Sequence, residues 1–224
     1  SLRALPPHLA GRPWTQQPRP EPARPDFPRL LGDAAWKRLP PGVQHRFTET
    51  AGRLRVNVYS GSMHIVRASV FGRLLARLCE FLNCPLMPMA GKDIPIKVRL
   101  FNVAENGGVC WERSYRFDNH PIMTVRTTQM LDRNGALVEA LGFGLHMRLK
   151  LQEVNRELHF ISQGYDVQWG FVCLSLPAWL PPGQTTVIHR DLGEGRSSFT
   201  LKTAHPLFGE MYYLQVTLQD GEPQ

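Results

Sequence analysis

The sequence predicts an α+β fold that is mainly antiparallel β: a long curved meander sheet or partial barrel, covered by one main helix. From Asp93 onward, apolar and polar residues alternate in segments separated by turn sequences such as 106–108 and 133–135. Before these segments, apolar residues recur at spacings of three and four over Ser62–Leu82, which is typical of a helix with one apolar face. Such a sheet must curl, close or be covered, and this helix is the predicted cover.

The first 27 residues are predicted to form a separate unit. They contain seven prolines, a composition that favours an extended linker or a disordered arm and cannot bury a core. Residues 28–224 are predicted to form a single β-rich domain. A short helix is expected at the junction, over Phe27–Leu39, and Pro40 and Pro41 end it.

The other predicted elements are strands. They are Arg53–Tyr59, Ile94–Leu100, Val109–Phe117, His120–Leu131, Leu137–Leu151, Leu158–Leu174, Thr185–Arg190, Ser197–Thr203 and Met211–Leu218. Leu137–Leu151 is interpreted as one unbroken strand with apolar odd positions, in which Gly142 and Gly144 let the strand bend or a ligand approach. A bulge is predicted at Gln163 and Gly164.

Composition argues against several classes of protein. The formal net charge is +7, but no dense basic run and no basic–aromatic interleaving supports nucleic-acid binding. No apolar run approaches the roughly 18 residues of a membrane-spanning helix. The four cysteines form no Cys-x-x-Cys pair, so we expect free thiols in a reducing cytoplasm, with no metal and no cofactor.

A charged residue interrupts the apolar face of two predicted strands. Glu139 lies among leucines, and Arg113 shares its face with aromatic residues. If the hairpins turn about 118–119 and about Asn134, Arg126 lies diagonal to both and within reach of long side chains. The sequence thus predicts a polar track, Arg113–Arg126–Glu139, on the concave face, surrounded by Trp111, Tyr115, Phe143, Tyr165 and Trp169.

Short sequence pieces, in order and spacing, resemble a bacterial family, the domain of unknown function 4166. They are Leu31-Gly32 with Trp36 and Leu39-Pro40, 72–78, 94–98, 111–113 with Phe117, 135–142 and 176–181. The resemblance implies no activity, because the family has none established. It does imply a frequent position after a Rossmann-type domain, saccharopine-dehydrogenase-like or epimerase-like, for which residues 1–28 would be the junction. The family's Trp-x-Arg and Leu-x-Glu pieces fall on Trp111, Arg113, Leu137 and Glu139.

Three functions are compatible with these patterns. An apolar pocket with a few polar groups is a typical ligand site, and two arginines against one glutamate would suit an apolar or amphipathic, lipid-like molecule with an acidic group. Alternatively, the chain is an enzyme in which a desolvated Glu139, or an inward-facing His189, transfers protons. A third possibility is a non-catalytic module on an oxidoreductase domain, in which the charges are structural ion pairs that specify strand register.

Overall fold

The computed structural model describes residues 24–49, 56–81, 91–103, 107–170, 172–177 and 183–221. Three short helices come first, and a β-barrel with one further helix follows. In chain order the elements are α1 Phe27–Leu31, α2 Asp33–Arg38, α3 Pro41–Glu49, β1 Asn57–Ala68, α4 Val70–Phe81, β2 Ile94–Asn102, β3 Val109–Tyr115, β4 Met123–Leu131, β5 Leu137–Gly142, β6 Leu145–Val154, β7 Glu157–Trp169, β8 Val172–Ser175, β9 Gln184–Gly193, β10 Arg196–His205 and β11 Gly209–Asp220.

The sheet closes on itself. Antiparallel pairs run in the order β6-β5-β4-β3-β2-β1-β11-β10-β9-β7, and a pairing of β6 with β7 completes a ring of ten strands. β8 pairs with the end of β7, over Asp166–Trp169, and lies outside this ring. Closure removes the unpaired edges that an open sheet of this length would expose. The predicted antiparallel meander is therefore confirmed in its closed form, as a barrel and not as a covered open sheet.

The antiparallel order gives the barrel two ends that differ in character. At one end, which we call the plugged end, lie the β4–β5, β6–β7 and β9–β10 turns and the helices α1–α3. At the other end, which we call the mouth, lie α4, the β3–β4 loop, the β5–β6 turn, the β7–β8 hairpin and the β10–β11 turn.

The three N-terminal helices close the plugged end. The Phe47 ring of α3 lies 5.1 Å from that of Phe27, 5.9 Å from Trp111, 5.5 Å from Phe160 and 5.0 Å from His189, measured between ring centroids. Phe27 is 3% exposed, although it was predicted to lie at the end of the arm. Residues 1–23 of that arm lie outside the described residues. The predicted Phe27–Leu39 helix is interrupted at Gly32, which has a φ of 89°.

The predicted strand Leu137–Leu151 is wrong: it is a hairpin. Phe143 and Gly144 have φ values of 48° and 74° and form the two-residue turn that such left-handed conformations favour. The register shifts between the pairs Ala140–His146 and Gly142–Leu145, so Leu141 is an extra residue. This extra residue keeps the odd positions inward on both strands, which is why the sequence resembles a single strand.

The predicted helix cover is also wrong. Residues 62–68 belong to β1, and α4 begins only at Val70. Ser69 caps this helix, because its Oγ accepts a hydrogen bond from the Gly72 amide at 3.0 Å. Val70, Phe71 and Leu74 are 69%, 50% and 57% exposed, so this part of the apolar face does not cover the sheet.

The bulge predicted in β7 is confirmed. The register shift between Arg148 and Leu149 leaves Gln163 without a partner on β6, as the predicted bulge requires. Cys110 and Cys173 are free, and burial raises the pKa of the Cys110 thiol. No helix in the described ranges has both the length and the apolar character needed to cross a membrane.

Candidate ligand site inside the barrel

Arg113 and Glu139 both point into the barrel. Arg113 on β3 faces Val125 on β4, and Glu139 on β5 faces Gln129 on β4. The two charged groups meet across β4, with Arg113 Nη2 at 3.9 Å from Glu139 Oε1. Two of the three residues of the predicted track are therefore brought together on the inner face.

The contacts of this pair are sparse. Arg113 Nη1 donates a hydrogen bond to Thr127 Oγ1 at 3.1 Å, and the guanidinium carbon lies 5.8 Å from the centroid of the Trp111 ring. The Glu139 side chain is only 7% exposed, yet its carboxylate accepts no hydrogen bond from the described residues. Such a carboxylate is costly unless another group binds it.

Arg126 lies outside the barrel, so the predicted three-residue track is wrong at this position. Arg113 pairs with Val125 and not with Thr124, and Glu139 with Gln129 and not with Thr128. Each hairpin is therefore shifted by one residue from the predicted register, and a shift of one residue reverses the face of a side chain. The interior consequently holds one arginine against one glutamate here, without the predicted positive surplus.

On the outer face, Arg126 binds Glu112. Arg126 Nε lies 2.6 Å from Glu112 Oε2, and Arg99 Nη1 lies 3.0 Å from Glu112 Oε1. Burial opposes ionisation of Glu112, but the hydrogen bonds and charges of Arg126 and Arg99 outweigh it and lower the pKa of this carboxyl group. This cluster is a structural ion-pair network and not part of the interior.

The five predicted aromatic neighbours divide into two groups. Trp111, Tyr115 and Tyr165 are inside, with exposures of 4%, 3% and 2%. Phe143 and Trp169 are 67% and 86% exposed at the mouth. Trp169 does share the face of Tyr165, but the β7–β9 pairing runs only over Leu158–Ile161, so β9 does not flank the end of β7.

The uncharged polar residues of the interior were not predicted from the sequence as a group. Trp111 Nε1 donates to Gln129 Oε1 at 3.2 Å. The hydroxyl groups of Tyr165, Thr185 and Thr203 form a chain with two oxygen–oxygen distances of 3.0 Å. The available signal was alternation: these residues occupy inward positions of their strands, which become identifiable once the register is known.

His189 faces inward, among aromatic rings. Its ring centroid lies 5.0 Å from that of Phe47, 5.6 Å from Trp111, 5.5 Å from Phe160 and 6.1 Å from Phe199. Burial, followed by the positive charges of Arg46 and Arg113, lowers the pKa of His189 to about 3. The imidazole is therefore neutral at neutral pH, whereas proton-transfer groups work best with a pKa near the working pH.

The barrel interior retains some accessible surface. Val125, Val187 and Leu201 have the same inward parity as Arg113, Phe160 and Phe199, yet they are only partly buried. An eight-stranded barrel is just wide enough for its side chains to fill, and the diameter grows with strand number. A separate cavity of about 250 Å³ lies at the plugged end, between residues 24–28, Phe47, Thr48 and Val109.

The model of one protein family matches residues 39–217 of this chain, from the end of α2 into the last strand. The chain belongs to the DUF4166 family. The description of this family is a domain of unknown function, so membership assigns no reaction to the DUF4166 barrel. The match includes Arg113, Glu139 and His189. No curated protein matches the chain.

Proposed function

We propose that the DUF4166 barrel binds an apolar or amphipathic small molecule in its interior, and that Arg113 binds the acidic group of this molecule. The observation that carries the proposal is the loosely bound pair Arg113–Glu139, whose charged groups lie 3.9 Å apart on the inner face of a closed barrel. Sites of this kind are mostly apolar, with a few polar groups that fix the orientation of the ligand.

Arg113 has hydrogen-bonding capacity to spare. A guanidinium group carries five N–H donors, and within the described residues Arg113 uses one of them in a hydrogen bond, to Thr127. Its side chain is 18% exposed inside the barrel. A carboxylate or phosphate that accepts two parallel hydrogen bonds is the group that a guanidinium binds best.

Glu139 competes with this ligand for Arg113. Because Arg126 is outside, the interior pair has no net charge, and an acidic head group must share Arg113 with Glu139. The separation of 3.9 Å exceeds hydrogen-bond distance, so Glu139 does not saturate the guanidinium. A bound acid at hydrogen-bond distance would therefore approach Arg113 more closely than Glu139 does, and it would be opposed by repulsion from that carboxylate.

The test compares two probes of equal chain length, dodecanoic acid and dodecan-1-ol, by isothermal titration calorimetry. We expect the acid to bind at least about tenfold more tightly than the alcohol, a difference of about 1.4 kcal/mol. This preference should disappear in Arg113→Gln. It should persist in the matched control Arg126→Gln, which removes an arginine from the outer face of the adjacent strand.

Two results would contradict the proposal. One is that neither probe binds the wild-type protein and native mass spectrometry finds no co-purified small molecule. The other is that Arg126→Gln loses as much affinity as Arg113→Gln, because the preference would then depend on overall charge and not on the interior.

A further inference from the structure

The exposed hydrophobic residues in the described part of the chain are concentrated at the mouth. Eleven large hydrophobic side chains are exposed in the described part of the chain. Ten of them lie on α4, the β3–β4 loop, the β5–β6 turn, the β7–β8 hairpin and the β10–β11 turn; the exception is Leu192. Exposed apolar residues scattered singly over a surface need no explanation, but residues gathered on one face indicate an interaction site.

The described turns at the plugged end of the barrel carry none of these exposed hydrophobic residues. The three fully described turns of this end consist of polar residues and glycine: 132–135 read Asp-Arg-Asn-Gly, 155–156 read Asn-Arg and 194–195 read Glu-Gly. The corresponding positions at the mouth include Ile122, Phe143 and Leu207, which are 58%, 67% and 76% exposed. The difference between the two ends is therefore one of sequence and not a consequence of barrel geometry.

One aromatic residue at the mouth is strained in the folded protein. Phe143 has a φ of 48°, and the left-handed conformation is unfavourable for a residue with a side chain. Trp169 at the end of β7 is 86% exposed. Phe71 stacks on Phe208 with ring centroids 4.3 Å apart, although both residues are about half exposed.

The mouth also carries positive charge. Arg73 and Arg77 on α4 and Arg116 in the β3–β4 loop are exposed, and none forms an ion pair with a described residue. Among the residues whose side chains the structure describes, the exposed acidic residues nearby are Asp93, Asp118 and Glu210, and Glu210 Oε1 lies 3.7 Å from Arg67 Nη2. Apolar and aromatic side chains beside arginines on one surface match an anionic membrane surface, where each basic residue contributes about 1 kcal/mol.

We propose that the mouth of the barrel docks on a membrane surface that contains anionic lipid. The apolar side chains at this end of the barrel, with arginines beside them, fit the flat and negatively charged surface of an anionic bilayer. Docking does not depend on the proposed function. If both hold, the mouth of the barrel faces the bilayer from which an amphipathic ligand would come.

The experiment is flotation of the full chain with vesicles of phosphatidylcholine, with and without phosphatidylglycerol. We expect binding to the anionic vesicles, weakened by salt. The double variant Phe143→Asn/Trp169→Ser should lose at least about tenfold in partition, because burial of each aromatic side chain contributes about 1.5–3 kcal/mol. Arg73→Gln/Arg77→Gln should lose about fivefold for each arginine.

A matched control at the plugged end, Leu192→Ser/Arg133→Gln, should float as the wild type does, and circular dichroism should show every variant folded. Arg113→Gln should also float normally, so that failure of ligand binding and failure of docking can be distinguished. Wild-type protein that stays off both kinds of vesicle would overturn the proposal, as would equal losses in the control. If the wild type instead self-associates and Phe143→Asn/Trp169→Ser is monomeric, the mouth is a contact between copies and the membrane proposal is wrong.

Discussion

Ionised groups inside a protein are stabilising only where their partners repay the desolvation of both charges. Arg113 and Glu139 do not meet this condition, since their contact is 3.9 Å long and the carboxylate accepts no hydrogen bond from the part of the chain that the structure describes. The pair is therefore poorly explained as a structural ion pair, and a binding role for Arg113 accounts for its exposed donors.

Glu139→Gln separates these two explanations. A structural ion pair would lose about 3–5 kcal/mol when one partner is removed. We expect a loss below about 1 kcal/mol in urea denaturation, because Arg113 is 18% exposed and is not held tightly by Glu139. Affinity for dodecanoic acid should rise, since the competing carboxylate is gone. A large loss of stability without a gain in affinity would favour the structural explanation.

His189 gives the folded protein a defined sensitivity to acid. Its folded-state pKa is about 3 and its unfolded-state value about 6.5, so between these pH values only the unfolded chain binds the proton. Stability is therefore unaffected above pH 6.5 and falls as the pH drops towards 3. At pH 5 this one group should cost about 2 kcal/mol relative to pH 7.

His189→Phe should remove this contribution and keep an aromatic ring against Phe47 and Phe199. Urea denaturation at pH 7 and pH 5 should show that the variant loses about 2 kcal/mol less than the wild type. The exposed His120 provides the control, as His120→Gln should follow the wild type. Equal losses in wild type and His189→Phe would mean that the imidazole is not neutral in the folded state.

Among the structural elements, the β5–β6 hairpin depends most sharply on single residues. Gly144 has a φ of +74°, and a Cβ added there would lie 2.1 Å from the Gln168 carbonyl oxygen. The Gln168 amide in turn donates a hydrogen bond to the Gly144 carbonyl oxygen at 2.8 Å. The turn can therefore approach β7 this closely only because residue 144 has no side chain.

Gly144→Ala has a natural comparison in Gly135→Ala. Gly135 has a similar φ of +78°, but nothing lies within 4 Å of the added Cβ. Both variants should lose about 1–2 kcal/mol of stability because an alanine is strained in the left-handed conformation. Gly144→Ala should lose about 1–3 kcal/mol more through overpacking. Equal losses in urea denaturation would show that the contact with Gln168 relaxes without cost.

The same hairpin shows what sequence alone could predict. Alternation located nearly every strand from residue 94 onward and the inward faces of Arg113 and Glu139, because the period of two is local information. Pairing register is not local: a shift of one residue in the β3–β4 hairpin moved Arg126 to the outer face. Leu141, as the extra residue, hid the turn at Phe143, since it restored the apolar alternation on both sides.

At the scale of the molecule, closure and plugging depend on contacts between distant parts of the chain. β1 pairs with β11 and α3 packs into the end opposite the mouth, and no periodicity within one segment encodes either contact. Phe47 is the centre of the plug, with Phe27, Trp111, Phe160 and His189 around it. An aromatic residue at the end of a short polar helix was the available signal in the sequence.

Phe47→Ala should therefore destabilise the whole barrel and not only α3. We expect a loss of about 3–5 kcal/mol in urea denaturation, as for other fully buried aromatic residues. Leu192→Ala, at a position 39% exposed, should stay within about 0.5 kcal/mol of the wild type. A loss below about 1 kcal/mol for Phe47→Ala would indicate that the barrel is stable without its plug.

Docking through the mouth predicts that hydrogen–deuterium exchange will change at one end of the barrel and not at the other. Amides within the ten paired strands are already hydrogen-bonded in the closed ring, so they report little on docking. The amides of the turns should respond directly to docking, and each end of the barrel has its own set of turns. On vesicles with phosphatidylglycerol, exchange should slow several-fold at 116–122, 143–144 and 206–208, because these segments would lose access to water. It should stay unchanged at 132–136, 155–156 and 194–195. Equal slowing at both ends would contradict docking through the mouth, since the turns with exposed hydrophobic residues in the described part of the chain lie at the mouth.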